Sequence, residues 1–327
     1  MNMTNRRLLS CAGVIAALTL ASCASQPPLA ASSAAGGEFA YLAAGGLAYF
    51  YTDVRLSRPI LEKLSIRGID MVRTGRFLNK VDFLAGAMYP REAPQQLLLH
   101  AWKEKGAVPS ASALFFSTKW EKTASPAGRN YYHSQSYGIS VSTEGSHAFV
   151  SDADPFAFEP AVAVPDGMSE LRWEAIVLGW LDHAGTSINT FLSAAGMPVR
   201  VPTDRILFGV YRFQNTEADT VDAIDDEEPA YRAVRTGVPR YELRLRVETE
   251  NANQAKALAT LLAFIRSFME NPEINAEAEY LEALRLLLAN PPSQDGSNLL
   301  LHTEPMDAER IALLFNRFSV YSQQTTL

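Results

Sequence analysis

Only two cysteines, Cys11 and Cys23, occur in the 327 residues. Cys11 lies in an apolar N-terminal stretch that reads as a removable secretory signal. The chain left after its removal has one thiol at its very start. It has no disulfide, no cysteine nucleophile and no cysteine-based metal site, and must be stable from its core alone even in an oxidising compartment. Histidine is also sparse: His100, His133, His147, His183 and His302 are isolated from one another. His183 follows Asp182, but adjacent helical residues do not face each other, so it reads as a surface or helix-end residue. The sequence contains no G-x-S-x-G, H-E-x-x-H, P-loop or dinucleotide-binding pattern. These absences predict no catalytic residue, no metal and no cofactor.

Positive charge is short as well. Twenty-nine basic against 36 acidic residues give −7, and loss of Arg6 and Arg7 with the signal makes it −9. Nucleic-acid binding needs a basic surface, so that class of partner is excluded. The same charge weakens purely electrostatic attraction to anionic lipid. Beyond the N-terminus no apolar run approaches the roughly 20 residues that span a bilayer. Hydrophobic residues at 47 % and charged ones at 20 % are nevertheless typical of a globular chain.

The N-terminus carries the clearest pattern. Arg6 and Arg7 precede the uncharged, largely apolar Leu8–Leu20, whose length suits a signal-peptide core and not a spanning helix. Leu20-Ala21-Ser22-Cys23 resembles the lipobox of bacterial lipoproteins at all four positions. Small residues let the peptidase grip the chain, and the Cys23 sulfur takes the diacylglycerol. An ordinary signal with a chance cysteine, or a buried N-terminal helix, is the alternative. Gln26-Pro27-Pro28 and the small residues from Ala30 to Gly37 read as a tether. Ala24 after the cysteine resembles the pattern sent to the outer membrane. The expected organisation is a signal peptide at 1–22, a lipidated tether at 23–40, and two α/β halves at 41–165 and 166–327.

Periodicity predicts helices at 54–65, 110–118, 171–181, 186–195, 252–269, 276–289 and 308–318. It predicts strands at 81–88, 96–102, 131–142, 147–151, 204–213, 241–248 and 299–302. Asp152 to Gly167, rich in proline and aspartate, reads as a connector. The order of elements in the two halves suggests an internal repeat, with Val81–Met88 matching Ile206–Tyr211 around a central glycine in each. The expected fold class is α/β (α+β): pseudo-duplicated mixed or antiparallel sheets covered by amphipathic helices, as an α/β/α sandwich.

The helix at 252–269 carries Leu258, Leu261, Leu262, Phe264, Ile265, Phe268 and Met269 on a wide apolar face. Such a face either packs on the protein's own sheet or lies in a bilayer surface or against a hydrophobic ligand. Only Lys256 and Arg266 supply positive charge to it. The run from Glu217 to Glu228 holds seven carboxylates but lacks the glycine and spacing of an EF-hand, and reads as a solvated loop. Tyr131, Tyr132 and Tyr137 crowd a polar strand and are expected on an exposed face.

Several segments together resemble a family of treponemal and related spirochaetal lipoproteins. They are Val81-Asp82-Phe83-Leu84-Ala85-Gly86-Ala87-Met88-Tyr89-Pro90, Trp120 ahead of Tyr131-Tyr132, and Gly179-Trp180-Leu181. Ile188-Asn189-Thr190-Phe191-Leu192 leading to Pro198 and Pro202, and the Ala255–Phe268 helix, complete the set. The resemblance covers most of residues 45–320 through short, packing-type motifs. It implies a lipid-anchored periplasmic protein of the outer membrane, with an α/β/α fold and amphipathic helices able to enter the inner leaflet. It brings no catalytic residue with it. The leading expectation is a non-enzymatic outer-membrane lipoprotein facing the periplasm, partnered by the membrane through its lipid and by envelope proteins. The rivals are a periplasmic carrier of lipid or another hydrophobic ligand, and an enzyme with a dispersed site.

Overall fold

The protein is described by a computed structural model covering residues 37–64, 71–90, 92–110, 120–157, 159–185, 189, 201, 203, 205–213, 239–269 and 278–324. After a 3-10 turn at Gly37–Phe39 come β1 (Ala48–Asp53), α1 (Val54–Leu61), α2 (Met71–Leu78), β2 (Phe83–Met88) and β3 (Leu97–Trp102). A meander follows: β4 (Glu121–Ala124), β5 (Asn130–Ser134), β6 (Ile139–Glu144) and β7 (His147–Ser151). The second half holds α3 (Met168–Leu171), β8 (Ala175–Asp182), β9 (Arg205–Phe213), β10 (Arg240–Glu248), α4 (Ala252–Met269) and α5 (Ala278–Leu287). It ends with β11 (Ser293–Asp295), β12 (Asn298–His302) and α6 (Ala308–Gln324).

Among the described residues twelve strands join one sheet, in the order β11-β12-β10-β9-β8-β1-β2-β3-β7-β6-β5-β4. Each neighbouring pair is antiparallel. This is a mixed α+β fold built on a large antiparallel sheet. Strands β1 and β8 pair at its middle, so residues on either side of position 165 share one sheet.

Side-chain alternation divides the core between two faces. On one, Phe208, Val210, Tyr241, Leu243 and Val247 meet Leu258, Ile265, Leu284, Ile311 and Leu314 from α4, α5 and α6. Beside them Leu84, Leu99, Val141 and Val150 meet Val54 and Leu61 of α1 and Phe77 and Leu78 of α2. The other face carries Tyr49, Leu98, Leu178, Trp180 and Leu207. Among the described residues it is covered by Phe39, Leu42 and Ala43 near the N-terminus and by Val162 and Met168 of the 152–171 segment. That layer is irregular chain plus the one-turn α3. Strand β10 shows the division clearly: Tyr241, Leu243 and Val247 are buried under helices, while Arg244 and Arg246 point to the other face, where Arg246 pairs with Glu170.

The helix expected at 171–181 is the strand β8 instead. Its neighbours β1 and β9 flank it and both its faces are covered, so every position from Ile176 to Trp180 is buried. A strand buried on both sides loses its alternation and reads as a continuous apolar run. Strands β1 and β4 and helix α2 were not signalled by periodicity, and 131–142 divides into β5 and β6. The helices expected at 110–118 and 186–195 and the acidic run 217–228 fall largely or wholly outside the described residues.

Helix α1 starts on Asp53, whose Oδ1 accepts from the backbone N–H of Arg55 at 2.9 Å and of Leu56 at 3.3 Å. Removing such a cap costs about 1 kcal/mol. Asp53→Ala should therefore lower the urea midpoint by that equivalent, and Asp53→Asn should recover most of it.

Candidate functional site

Cys23 lies outside the described residues, as does the side chain of Phe268. The remaining members of the apolar face on α4 divide by depth. Leu258, Ile265 and Met269 are buried against the sheet, and Leu261 and Leu262 are half-buried against the same cluster. Phe264 alone among these stands out, 66 % exposed. The helix is well terminated. Asn251 Oδ1 accepts from the backbone N–H of Asn253 and Gln254 at 3.1 and 3.0 Å, and the Arg285 guanidinium donates to the Met269 carbonyl at 3.3 Å. In this state the face of α4 is the roof of the core, with Phe264 at its solvent edge.

A second constellation, not foreseen as a unit, lies on the opposite face of the sheet. Tyr51 of β1, Phe83 of β2 and Trp102 of β3 stack in sequence, with ring centroids 6.2 and 5.4 Å apart. His100, two residues before Trp102 and on the same face, stacks on it at 4.8 Å. His100 also stacks on His147 and Phe149 of β7 at 5.1 and 4.9 Å, and Tyr41 meets it edge-on at 4.6 Å. Each such pair adds about 0.5–1.5 kcal/mol beyond area burial. Tyr51, Phe83, Trp102, Tyr41 and His147 are half-buried, so the ladder is partly open to solvent.

The two histidines are bonded to each other, His100 Nε2 lying 2.9 Å from His147 Nδ1. His100 Nδ1 is buried and has no hydrogen-bond partner among the described residues. A stranded N–H costs more than a stranded lone pair, so the favoured tautomer has His100 Nε2–H donating to His147. Burial pushes the His100 pKa down to about 3, with the neighbouring His147 adding to the effect. The His147 pKa is lowered too, by burial, against an opposing pull from Glu144. Glu144 is itself paired with Arg129, whose guanidinium lies 4.4 Å over the Phe156 ring. His100 is thus a neutral ring packed among aromatic neighbours near pH 7. Burial likewise pushes the hydroxyls of Tyr49 and Tyr51 up to about 12, so both stay protonated.

Those tyrosines fix the N-terminal segment. The Tyr49 hydroxyl donates to the Ala43 carbonyl at 2.9 Å and accepts from the Gly46 N–H at 2.6 Å, while the Tyr89 hydroxyl accepts from the Ala43 N–H at 3.1 Å. Phe39 packs edge-on against Trp180 at 4.8 Å, and Glu38 pairs with Arg172. The chain thus enters the fold firmly held, at the sheet end where Tyr51, Phe83 and Trp102 lie.

His183 is exposed in a turn with φ 55°, and Asp182 serves Trp180 Nε1 at 3.0 Å and Arg205 Nε at 2.7 Å instead. Tyr132 is exposed, whereas Tyr131 and Tyr137 are half-buried. Among the described residues no three His, Cys, Asp or Glu side chains converge as a metal site, and no helix is long and apolar enough to cross a membrane. A cleft of about 260 Å³ between α5, α6 and the 304–306 segment is edged by Glu282, Arg285, Glu304 and Arg310. It is smaller and more charged than a typical site for an apolar ligand.

No family profile matches the chain, and no curated protein matches it in sequence. Solved structures do. Crystal form I of TP0453, a Treponema pallidum protein, aligns over 90 % of this chain and 98 % of its own, with 16 % identity and a TM-score of 0.50. Crystal form III aligns over 90 % and 99 %, with 16 % identity and a TM-score of 0.51. Across nearly its whole length, therefore, this chain is similar in fold to a treponemal protein.

Proposed function

We propose that the protein is a lipid-anchored, non-catalytic component of the bacterial envelope, held through Cys23 at the periplasmic face of the outer membrane. Leu20-Ala21-Ser22-Cys23 after an uncharged apolar stretch carries this reading. Diacylglycerol plus an amide-linked acyl chain anchors firmly, where one chain would not. The fold similarity to a treponemal protein fits the resemblance noted in the sequence. Membrane contact through amphipathic helices, assembly with envelope proteins, the duplication of the two halves and the full α/β/α layering belong to the same proposal. Central Gly86 and Gly209 in the second strand of each half favour the duplication.

The anchor is tested by growing cells on an alkyne-tagged palmitate. The wild-type chain should be labelled and pellet with membranes. Cys23→Ala should lose the label and appear in the soluble periplasmic fraction or as unprocessed precursor. Undiminished labelling of Cys23→Ala overturns the reading.

A further inference from the structure

The most exposed large apolar side chain among the described residues is Trp173, at 81 %. Tryptophans average among the more buried residue types, so this exposure asks for a cause. Local backbone supplies one. The next residue, Glu174, has φ 64°, a left-handed conformation that a non-glycine residue adopts only when its surroundings impose it. Both neighbouring segments are fixed. The Leu171 carbonyl accepts from the Tyr211 hydroxyl at 2.5 Å, and Ala175 opens β8 in register with Tyr211. The chain makes a tight, held turn whose outcome is a tryptophan in water.

Its neighbourhood is specific. Two residues beyond Tyr211, Phe213 ends β9 and is 43 % exposed. Arg172, adjacent to Trp173, pairs with Glu38, and Gly37 lies against the same guanidinium. The described chain therefore begins against the side chain of Arg172, the residue before Trp173. Thirteen residues separate Gly37 from Cys23 and reach at most about 45 Å fully extended, close to the width of a folded chain of this size. The tether leaves the domain at the sheet end bearing Trp173, so that end can meet the bilayer without the tether wrapping round the domain. Tyr51, Phe83 and Trp102 lie toward the same end.

We infer that Trp173, with Phe213 at the same end of the sheet, seats this end in the interfacial layer of the bilayer that holds the lipid. Indole prefers that layer because it offers both apolar and hydrogen-bonding surroundings. The inference rests on the anchored reading and gives the domain an orientation with the Trp173 end of the sheet toward the membrane. Charge selects the lipid. Without its signal the chain carries a net charge of −9, so the surface that fits is zwitterionic, and anionic lipid opposes docking.

The test uses lipidated full-chain protein reconstituted into vesicles of zwitterionic phospholipid containing brominated acyl chains, which quench nearby tryptophan. The wild type should show a quenched emission component that disappears in Trp173→Ala, weakens in Phe213→Ser, and shrinks when anionic phospholipid is added. Trp173→Ala should leave the urea midpoint unchanged, since the side chain is solvent-exposed. Added to plain zwitterionic vesicles, Cys23→Ala should partition roughly tenfold more than the Cys23→Ala, Trp173→Ala double variant, from partial burial of one indole. A wild-type protein that floats with vesicles while Trp173 stays open to an aqueous quencher overturns the docking and leaves the anchor standing. Protection of Trp173 without vesicles, by a second copy of the chain, also overturns it. A Cys23→Ala chain that floats and is quenched like the wild type supports the docking, while the anchor is read separately by the palmitate label.

Discussion

Gly179→Ala should cost more than about 3 kcal/mol of stability, enough to leave much of the protein unfolded, since native chains have only about 5–15 kcal/mol in hand. Gly179 sits in β8 between β1 and β9. A Cβ there would lie 2.2 Å from the Tyr49 backbone oxygen and 2.4 Å from Phe208 Cζ. The ring can turn aside. The backbone oxygen cannot, because it belongs to the β1–β8 pairing that joins the two halves. Gly86→Ala is the internal comparison: the nearest atoms its Cβ would meet are the ends of Phe50 and Leu99, at 2.5 and 2.7 Å, and side-chain ends can move. Gly45→Ala meets nothing within 4 Å but must hold φ +81°, a strain of about 1 kcal/mol. Urea unfolding of the three variants should give losses in the order Gly179, Gly86, Gly45. A Gly179→Ala loss below about 1 kcal/mol would mean that the centre of the sheet is more plastic than its contacts imply.

The same buried centre marks where sequence reading worked and where it failed. Strand β10 and helix α4 were legible because each has one wet side. Tyr241, Leu243 and Val247 alternate with charged residues, and Leu258, Ile265 and Met269 recur at helical spacing. Strand β8 was not legible because Trp180 and Leu178 face one buried layer and Val177 the other, so no period survives. The aromatic ladder failed for a different reason. His100 and Trp102 share a face by simple alternation, but His147 reaches them only because β7 pairs β3 after the β4–β6 meander. Sequence separation hides that pairing. Trp173 was visible as an aromatic residue, but its exposure comes from the positive φ of Glu174, which nothing in a non-glycine sequence announces.

That hidden pairing makes stability depend on pH. His100 is held neutral in the folded chain down to about pH 3 by burial and then by His147, whereas in the unfolded chain it takes a proton near pH 6.5. The unfolded state thus binds the extra proton throughout that interval. Stability is fully present above pH 6.5 and falls as pH drops toward 3, by about 1.4 kcal/mol per pH unit for one such group. His147, also lowered by burial, adds a smaller slope of the same sign. Tyr41, Trp102 and Phe149 crowd His100 as rings, and the Glu144 carboxylate that faces His147 is already paired with Arg129. His100→Phe keeps a stacked ring and removes the titrating group. It should flatten the dependence of the urea midpoint on pH between 6.5 and 5, even if it lowers the midpoint at pH 7.5. Equal slopes for the two proteins would mean that His100 takes its proton without unfolding the chain, and that the packing over His100 opens where the geometry shows it sealed.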